Sequence, residues 1–298
     1  MSYINTIRNK YQKLKFWLWF VIRPQHLASG IFRGIMGYDI DWKNPRDLNE
    51  KINWQKFYSD TSEWTRLADK YLARDYIAEK LGEDVLPKLY GVWEKAEDID
   101  FTSLPDKFVM KTNHGCGGIV LVEDKNELDL QKVKDEMANA LNHKFGYETV
   151  EPHYLKIHPV VMAEEMIDND GGFSSSIPDY KVFCVNGVPE TILVCSDRVG
   201  KHVTLSFYDI EWNYMPEVNS GRHKGEYKEI PKPECLDQLL LYARTLAKDF
   251  PQVRVDFYIA HGKIYVGELT FTSQGGYMDY LSREFSLKLG SNVPLIKK

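Results

Sequence analysis

Apolar side chains recur along this chain with two periods, and the period separates strands from helices. Near the C-terminus Val253, Val255 and Phe257 alternate with Arg254, Asp256 and Tyr258, the pattern of a strand with one buried face. Ala260-His-Gly-Lys263 then reads as a tight turn, with Gly262 free to take a positive φ. The return strand carries Glu268 and Thr270 on one face. A second hairpin is predicted from Pro178–Val185, the turn Asn186-Gly187 and the partner Glu190–Ser196. In it Lys181 and Phe183 share one face, while Tyr180, Val182 and Cys184 share the other. Shorter runs predict strands over Lys107–Lys111, Ile119–Val122 and Val160–Ala163, and an extended piece over Val85–Trp93.

The 3.6-residue period predicts the helices. Residues 1–35 read as helical. Lys51–Tyr58 follows a turn whose Asp47 or Asn49 serves as the cap. Thr61 to Gly82 reads as one helix, with Leu67, Tyr71, Ala78 and Leu81 on one side. Leu128–Phe145 puts Val133, Met137, Ala140 and Leu141 inward, and Cys235–Asp249 does the same with Leu236, Leu239, Leu240, Ala243 and Ala247 before Pro251 stops it. A last helix is expected near Asp279–Leu289, and residues 199–230 read as loop. Runs of both kinds, with no internal repeat and no Pro/Ser linker, predict an α+β fold of packed subdomains.

Composition narrows what such a fold can do. At 298 residues with 43% hydrophobic and 27% charged side chains, the chain is long and apolar enough for a sizeable core. A net charge of −5 excludes the bulk basic footprint that nucleic-acid binding needs. The four cysteines, Cys116, Cys184, Cys195 and Cys235, show no C-x-x-C spacing, which speaks against a zinc knuckle and for reduced thiols in the cytoplasm. The apolar run Phe16–Ile22 is too short to span a bilayer. Flanked by Lys10, Lys13, Lys15 and Arg23, it reads either as a peripheral membrane contact through residues 10–23, at the inner face of the plasma membrane, or as a helix packed on the main domain.

Several stretches carry candidate chemistry. The C-terminal hairpin reads in two ways: Asp256 and Glu268 on neighbouring strands form either an oxygen-ligand pair for a hard cation such as Mg²⁺, with Arg254 beside them for a phosphate, or the solvated charged face of an edge hairpin. Thr112-Asn-His-Gly-Cys-Gly-Gly118 is a glycine-rich loop between two strands, whose backbone N–H groups can line an anion-binding concavity. It is not a Walker A loop, because Lys111 precedes the glycines and a strand follows them. Glu164–Gly172 is an acidic hinge leaving a buried strand. Lys201, His202, Arg222, His223 and Lys224 cluster in the loop-rich segment, either as a clamp for an anionic substrate or as a solvated lid. Asp39-Ile-Asp41 and Asp98-Ile-Asp100 each fit D-x-D, a pattern that in a glycosyltransferase would hold the metal of a nucleotide sugar.

Taken in order, these features resemble the ATP-grasp superfamily, and within it the TupA-like subgroup found with teichuronopeptide and capsular polysaccharide biosynthesis. The resemblance covers about Asn44 to Gly276 and rests on Leu48-Asn-Glu-Lys-Ile-Asn53, Phe108–Gly118, Asp179-Tyr-Lys-Val-Phe183 and Gly267-Glu-Leu-Thr-Phe-Thr272. It implies an ATP-grasp fold, two α+β subdomains clasping ATP, with residues 1–60 as a helical extension and 61–298 as the ATP-grasp domain. Within that domain, about 105–165 would carry the glycine-rich loop and about 166–298 the metal. It implies Lys111 and Lys70 on the phosphates under a lid of Gly115, Gly117 and Gly118. Glu164, Glu165 and Ile167 would meet adenine, and Asp168 or Asp170 the ribose. Asp256 and Glu268 would hold Mg²⁺ with Thr270, where many members have Asn. Arg254 would stabilise the transferring phosphoryl group, Lys181 would sit near phosphate, and Arg198 is expected with them among the catalytic residues. The implied activity is ATP-dependent carboxylate–amine ligation, with an amino acid or amine and an acidic glycan or sugar as substrates. A phosphotransferase of the same fold acting on a glycan, or a glycosyltransferase using a D-x-D metal site, is the alternative.

Overall fold

The computed structural model describes residues 16–170, 172–200, 202–220 and 229–298. Two antiparallel sheets organise it. The first runs β1 (Leu89–Trp93), β4 (Val161–Glu164), β2 (Phe108–Thr112), β3 (Ile119–Val122). The second runs β7 (His202–Tyr208), β6 (Val188–Val199), β5 (Asp179–Val185), β8 (Gln252–Ala260), β9 (Lys263–Thr270). Both expected hairpins turn as their sequences require. Asn186 and Gly187 take φ of 50° and 75°, and His261 and Gly262 take 52° and 74°.

Each sheet buries its apolar set against helices. Val133 and Met137 of helix Leu130–Leu141 pack with Phe108, Met110 and Val161 of the first sheet. Tyr180, Val182, Val255 and Phe257 of the second sheet meet Leu239, Ala243 and Leu246 of helix Leu236–Ala247 and Ile77 of helix Ala73–Leu81. On its other face Phe183, Val185 and Leu193 meet Leu48 and Ile52 of helix Leu48–Tyr58 and Phe285 and Leu289 of helix Arg283–Ser291. Asp47 caps the first of these through a capping box with Glu50. The residues preceding that helix are also docked, Phe32 and Ile40 packing around Tyr277.

The structure departs from the periodicity in four places. The helix expected over Thr61–Gly82 is two helices, Ser62–Ala68 and Ala73–Leu81. The break has a local cause: the Asp69 carboxylate accepts from the N–H groups of Tyr71 (2.8 Å) and Leu72 (3.1 Å), and the Lys70 N–H donates to Asn113 O (3.0 Å) rather than to its own helix. Tyr71 is consequently exposed, not inward. Residues 16–22 are helical but separate from helix Pro24–Met36, because Pro24 starts a new helix at its first position. The segment read as loop after residue 199 contributes β7, paired along β6 from Ile192↔Tyr208 to Val199↔His202. The C-terminal helix starts at Arg283, where the Ser282 hydroxyl accepts from Phe285 N–H, and not near Asp279. Lys10, Lys13, Lys15, Lys201, Arg222, His223 and Lys224 lie outside the described residues.

Candidate functional site

Strand register builds the charged centre. Lys181 of β5 lies opposite Asp256 of β8, which lies opposite Glu268 of β9, and Arg254 lies opposite Thr270. The pairing skips Gly267, since Phe257 faces Val266 and Asp256 faces Glu268. This bulge changes which positions face inward. Ile264 and Val266 join the core before it and Leu269 after it, so the intervening Glu268 points to the site instead of the core. A side chain at Gly267 would meet the Tyr258 ring at 2.9 Å, so the bulge residue has no room for a Cβ.

The three oxygen donors converge on one point, which a guanidinium nitrogen marks. Arg254 Nη2 donates to Asp256 Oδ2 at 2.7 Å, Thr270 Oγ1 at 3.1 Å and Glu268 Oε1 at 3.4 Å. The Arg254 fork is bidentate on Asp256, with Nε at 2.6 Å from Oδ1, and Nη1 reaches Ser273 Oγ at 3.2 Å. Lys181 binds Asp256 and, at 2.5 Å, Asp179. Asp256 is 2% exposed. Burial would lower the Lys181 ammonium, but the Asp256 and Asp179 carboxylates outweigh it and raise it well above its ordinary value. Burial likewise would raise Glu268, yet Lys70, Lys181, Arg254 and the Thr270 hydroxyl bring it down to about 2. Both shifts favour the ionised forms of Lys181 and Glu268.

Two lysines close the site from the first sheet's side. The break after Ala68 places Lys70 so that its ammonium donates to Gly115 O at 2.5 Å and lies 3.7 Å from Glu268 Oε2. Lys111, on β2, pairs with Glu164 on β4. The glycine-rich loop runs from there, with Gly115, Gly117 and Gly118 at φ of 77°, 90° and 61°. At Gly115 a Cβ would lie 2.4 Å from the Phe145 ring, so glycine is required by both space and backbone. His114 in this loop is buried, with Nε2 3.0 Å from His143 O. Cys116 is exposed in the same loop.

Between these lysines and Glu268 lies a cleft of about 30 Å³ lined by Lys70, Arg74, Lys111, Glu164, Ile167 and Tyr258. Its inner part is apolar, formed by Ile77, Leu86, Pro87 and Val266. Glu165 flanks it; its N–H donates to Lys88 O (2.8 Å), and its carboxylate accepts from Lys88 N–H (3.1 Å). Two expected residues stand apart. Asp168 is exposed and paired with Lys107 at 2.6 Å, and neighbouring Asp170 accepts from His261 N–H at 3.1 Å. Arg198 is exposed near the end of β6, where its N–H donates to Ser176 Oγ at 2.9 Å. Both D-x-D copies have local partners: Asp39 binds Arg33, Asp41 accepts from the N–H groups of Lys43 and Asn44, and Asp100 accepts from Thr102.

The donor set fits Mg²⁺. Among the described residues no group of three or more His, Cys, Asp or Glu side chains gathers as a metal site. Two carboxylates and a hydroxyl instead leave positions for water and phosphate oxygens, as Mg²⁺ prefers. Lys70 and Lys111 in the cleft, with Lys181 and Arg254 beside Asp256 and Glu268, suit a polyphosphate.

Periodicity and motif reading missed three residues here. Arg74 enters the cleft from helix Ala73–Leu81, donating to Pro87 O (2.7 Å) and lying 3.7 Å from Glu164. Its one signal was its position four residues after Lys70, a spacing that the helix break makes irregular. Asp179 lies two residues before Lys181 on the same face, a visible signal. Its Oδ1 is buried without a hydrogen-bond partner, and burial raises its pKa against the pull of Lys181. Lys56, buried in helix Leu48–Tyr58, donates to Asn53 Oδ1 (3.0 Å), Thr149 O (3.2 Å) and Gly275 O, holding the turn that follows β9. Nothing local in sequence announces that contact.

A family model described as TupA-like ATPgrasp matches residues 50–294. No curated protein matches the chain in sequence. Solved structures with a similar course include the D-alanine–D-alanine ligase from Helicobacter pylori (15% identity, TM-score 0.47, covering 84% of this chain and 68% of that one). The ATP complex of the D-alanine–D-alanine ligase from Bacillus anthracis shows 16% identity and a TM-score of 0.43, covering 83% and 65%. The L-amino acid ligase from Bacillus licheniformis shows 13% identity and a TM-score of 0.47, covering 80% and 52%. The chain thus spans about two thirds of the two D-alanine ligases and about half of the L-amino acid ligase. With about five sixths of its length matched by one family model, the chain belongs to the TupA-like ATP-grasp family.

Proposed function

We propose that this protein is an ATP-dependent carboxylate–amine ligase. It joins an amino acid or amine to a uronic-acid carboxylate during surface (capsular) polysaccharide biosynthesis, through an acyl phosphate. The observation that carries the ATP site is the convergence of Asp256, Glu268 and Thr270 on a single point with lysines around it. Bound Mg-ATP would supply a transferable phosphoryl group with part of its charge neutralised. The chain's own residues do the rest. Lys70 and Lys111 hold the α- and β-phosphates under the Gly115–Gly118 lid, and Lys181 and Arg254 offset charge on the transferring group. Arg198 joins them on the substrate side. Glu164, Glu165 and Ile167 receive adenine, and Asp168 the ribose. Asp256, Glu268 and Thr270 hold Mg²⁺. The closed lid keeps water from the activated carboxylate until the amine attacks. The sugar substrate is supported by the resemblance to proteins of polysaccharide biosynthesis. The reaction is placed in the cytoplasm, at the inner face of the plasma membrane when the acceptor is lipid-linked.

Incubation with Mg-ATP, an amino-acid pool and a uronic-acid glycan, followed by mass spectrometry, tests the reading. ADP, free phosphate and an adduct of amide mass are expected. A phosphorylated glycan without free phosphate would assign phosphotransfer instead, and turnover of a nucleotide sugar without ATP use would overturn the ATP reading. Glu268→Gln is expected to lower ATP turnover at least about a hundredfold in a protein that still folds. Survival of activity would remove Glu268 from the metal set.

A further inference from the structure

We infer that the helix at residues 16–22 is a docking face for an anionic lipid bilayer. Its side chains divide by angle. Positions 17, 18, 21 and 22 fall on one side of a 3.6-residue helix, and 16, 19 and 20 on the other. The second set is turned toward the protein. Trp19 stacks on His26 with centroids 4.8 Å apart, and Phe20 meets Tyr147 edge-on at 4.8 Å. The first set is left in solvent: Trp17 is 46% exposed, Leu18 41%, Val21 58% and Ile22 68%. Four large apolar residues on one arc, beside an apolar cavity of about 210 Å³ lined by Leu18, Trp19, Ile22 and Arg23, form a patch of the kind that soluble surfaces rarely leave uncovered.

Charge identifies the occupant. Residues 1–38 hold six basic side chains, Arg8, Lys10, Lys13, Lys15, Arg23 and Arg33, and no Asp or Glu. All 43 acidic residues lie beyond them, in a chain whose net charge is −5. A basic segment bracketing an exposed aromatic and aliphatic face matches a surface with negative headgroups over an apolar interior. An acidic glycan would answer the lysines but leave Val21 and Ile22 without a partner. No described helix is long and apolar enough to cross a membrane, so the contact is interfacial. The anchoring of Phe20 on Tyr147 ties the face to the segment whose Phe145 supports Gly115 of the glycine-rich loop. Docking would therefore orient the nucleotide cleft relative to the bilayer.

The test is co-sedimentation of the full chain with large unilamellar vesicles of phosphatidylcholine alone or mixed with phosphatidylglycerol. It needs no substrate, so its outcome is independent of the ligase reading. Binding to the phosphatidylglycerol vesicles is expected to exceed that to phosphatidylcholine at least about tenfold and to weaken as salt is raised. Ile22→Asp and Trp17→Ser should each weaken it by about tenfold or more, with the melting temperature unchanged because both side chains are solvent-exposed. Equal sedimentation with the two vesicle types, or none, would overturn the inference. So would binding that Ile22→Asp leaves intact, which would reduce the contact to charge alone. Vesicle-free self-association abolished by Ile22→Asp would assign the face to a second copy of this chain.

Discussion

Lys181 holds two carboxylates at once, and that sets the energetics of the whole charged centre. Removing it would leave Asp179 buried without a cation and Asp256 with Arg254 alone. Lys181→Met is therefore expected to destabilise the fold by about 3–5 kcal/mol in urea unfolding, the cost of stranding a buried charge. Asp179→Asn in the same background should restore part of the loss, which a purely steric effect of methionine would not allow. The residue scale was also the most legible in sequence. Arg254, Asp256, Lys181 and Lys111 sit in short alternating strands, where spacing decides the face, and the resemblance supplied the roles of the two lysines; Glu268 faces the site only because of the bulge at Gly267. Arg74 escaped because the contacts that matter to it lie 13 and 90 residues away in the chain.

At the scale of elements, the hairpins were readable and the irregularities between them were not. Asn186-Gly187 and His261-Gly262 announce their turns locally. The bulge at Gly267 and the break at Asp69 do not, since each is fixed by contacts across the fold as much as by its own neighbours. Gly267 in a strand was the available hint of a bulge. For Asp69 the apolar period ran smoothly through the break, so periodicity favoured one helix. The break nonetheless delivers Lys70 to Gly115 and Glu268. Asp69→Ala removes the acceptor for two N–H groups and is expected to cost about 1 kcal/mol of stability. It should also raise KM for ATP several-fold while kcat changes less. Steady-state kinetics would show this split, and an unchanged KM would mean that Lys70 keeps its place without the cap.

Across the whole molecule, one buried ammonium links elements far apart in sequence. Lys56 joins helix Leu48–Tyr58 to Thr149 and to Gly275, and Tyr277 adds a bond to the same Thr149 carbonyl at 3.0 Å. Burial lowers the Lys56 pKa from 10.5 to about 7, partly resisted by Glu151. Between those two values the unfolded chain holds a proton that the folded one has released, so stability rises with pH across the window. Urea midpoints at pH 7 and pH 9.5 should show that rise in the wild type and a flatter response in Lys56→Met. The cleft itself has a further consequence. Lys70, Arg74, Lys111, Lys181 and Arg254 are already matched by Glu164, Asp179, Asp256 and Glu268 before any nucleotide arrives. A nucleotide entering such a site exchanges internal counterions for its own phosphates and adds little net neutralisation. Its dissociation constant should then change only a few-fold between 50 and 500 mM salt, where a site of unpaired lysines would lose affinity steeply. Isothermal titration across that range measures the difference, and a steep loss would mean that the lysines stand free of their carboxylates in solution.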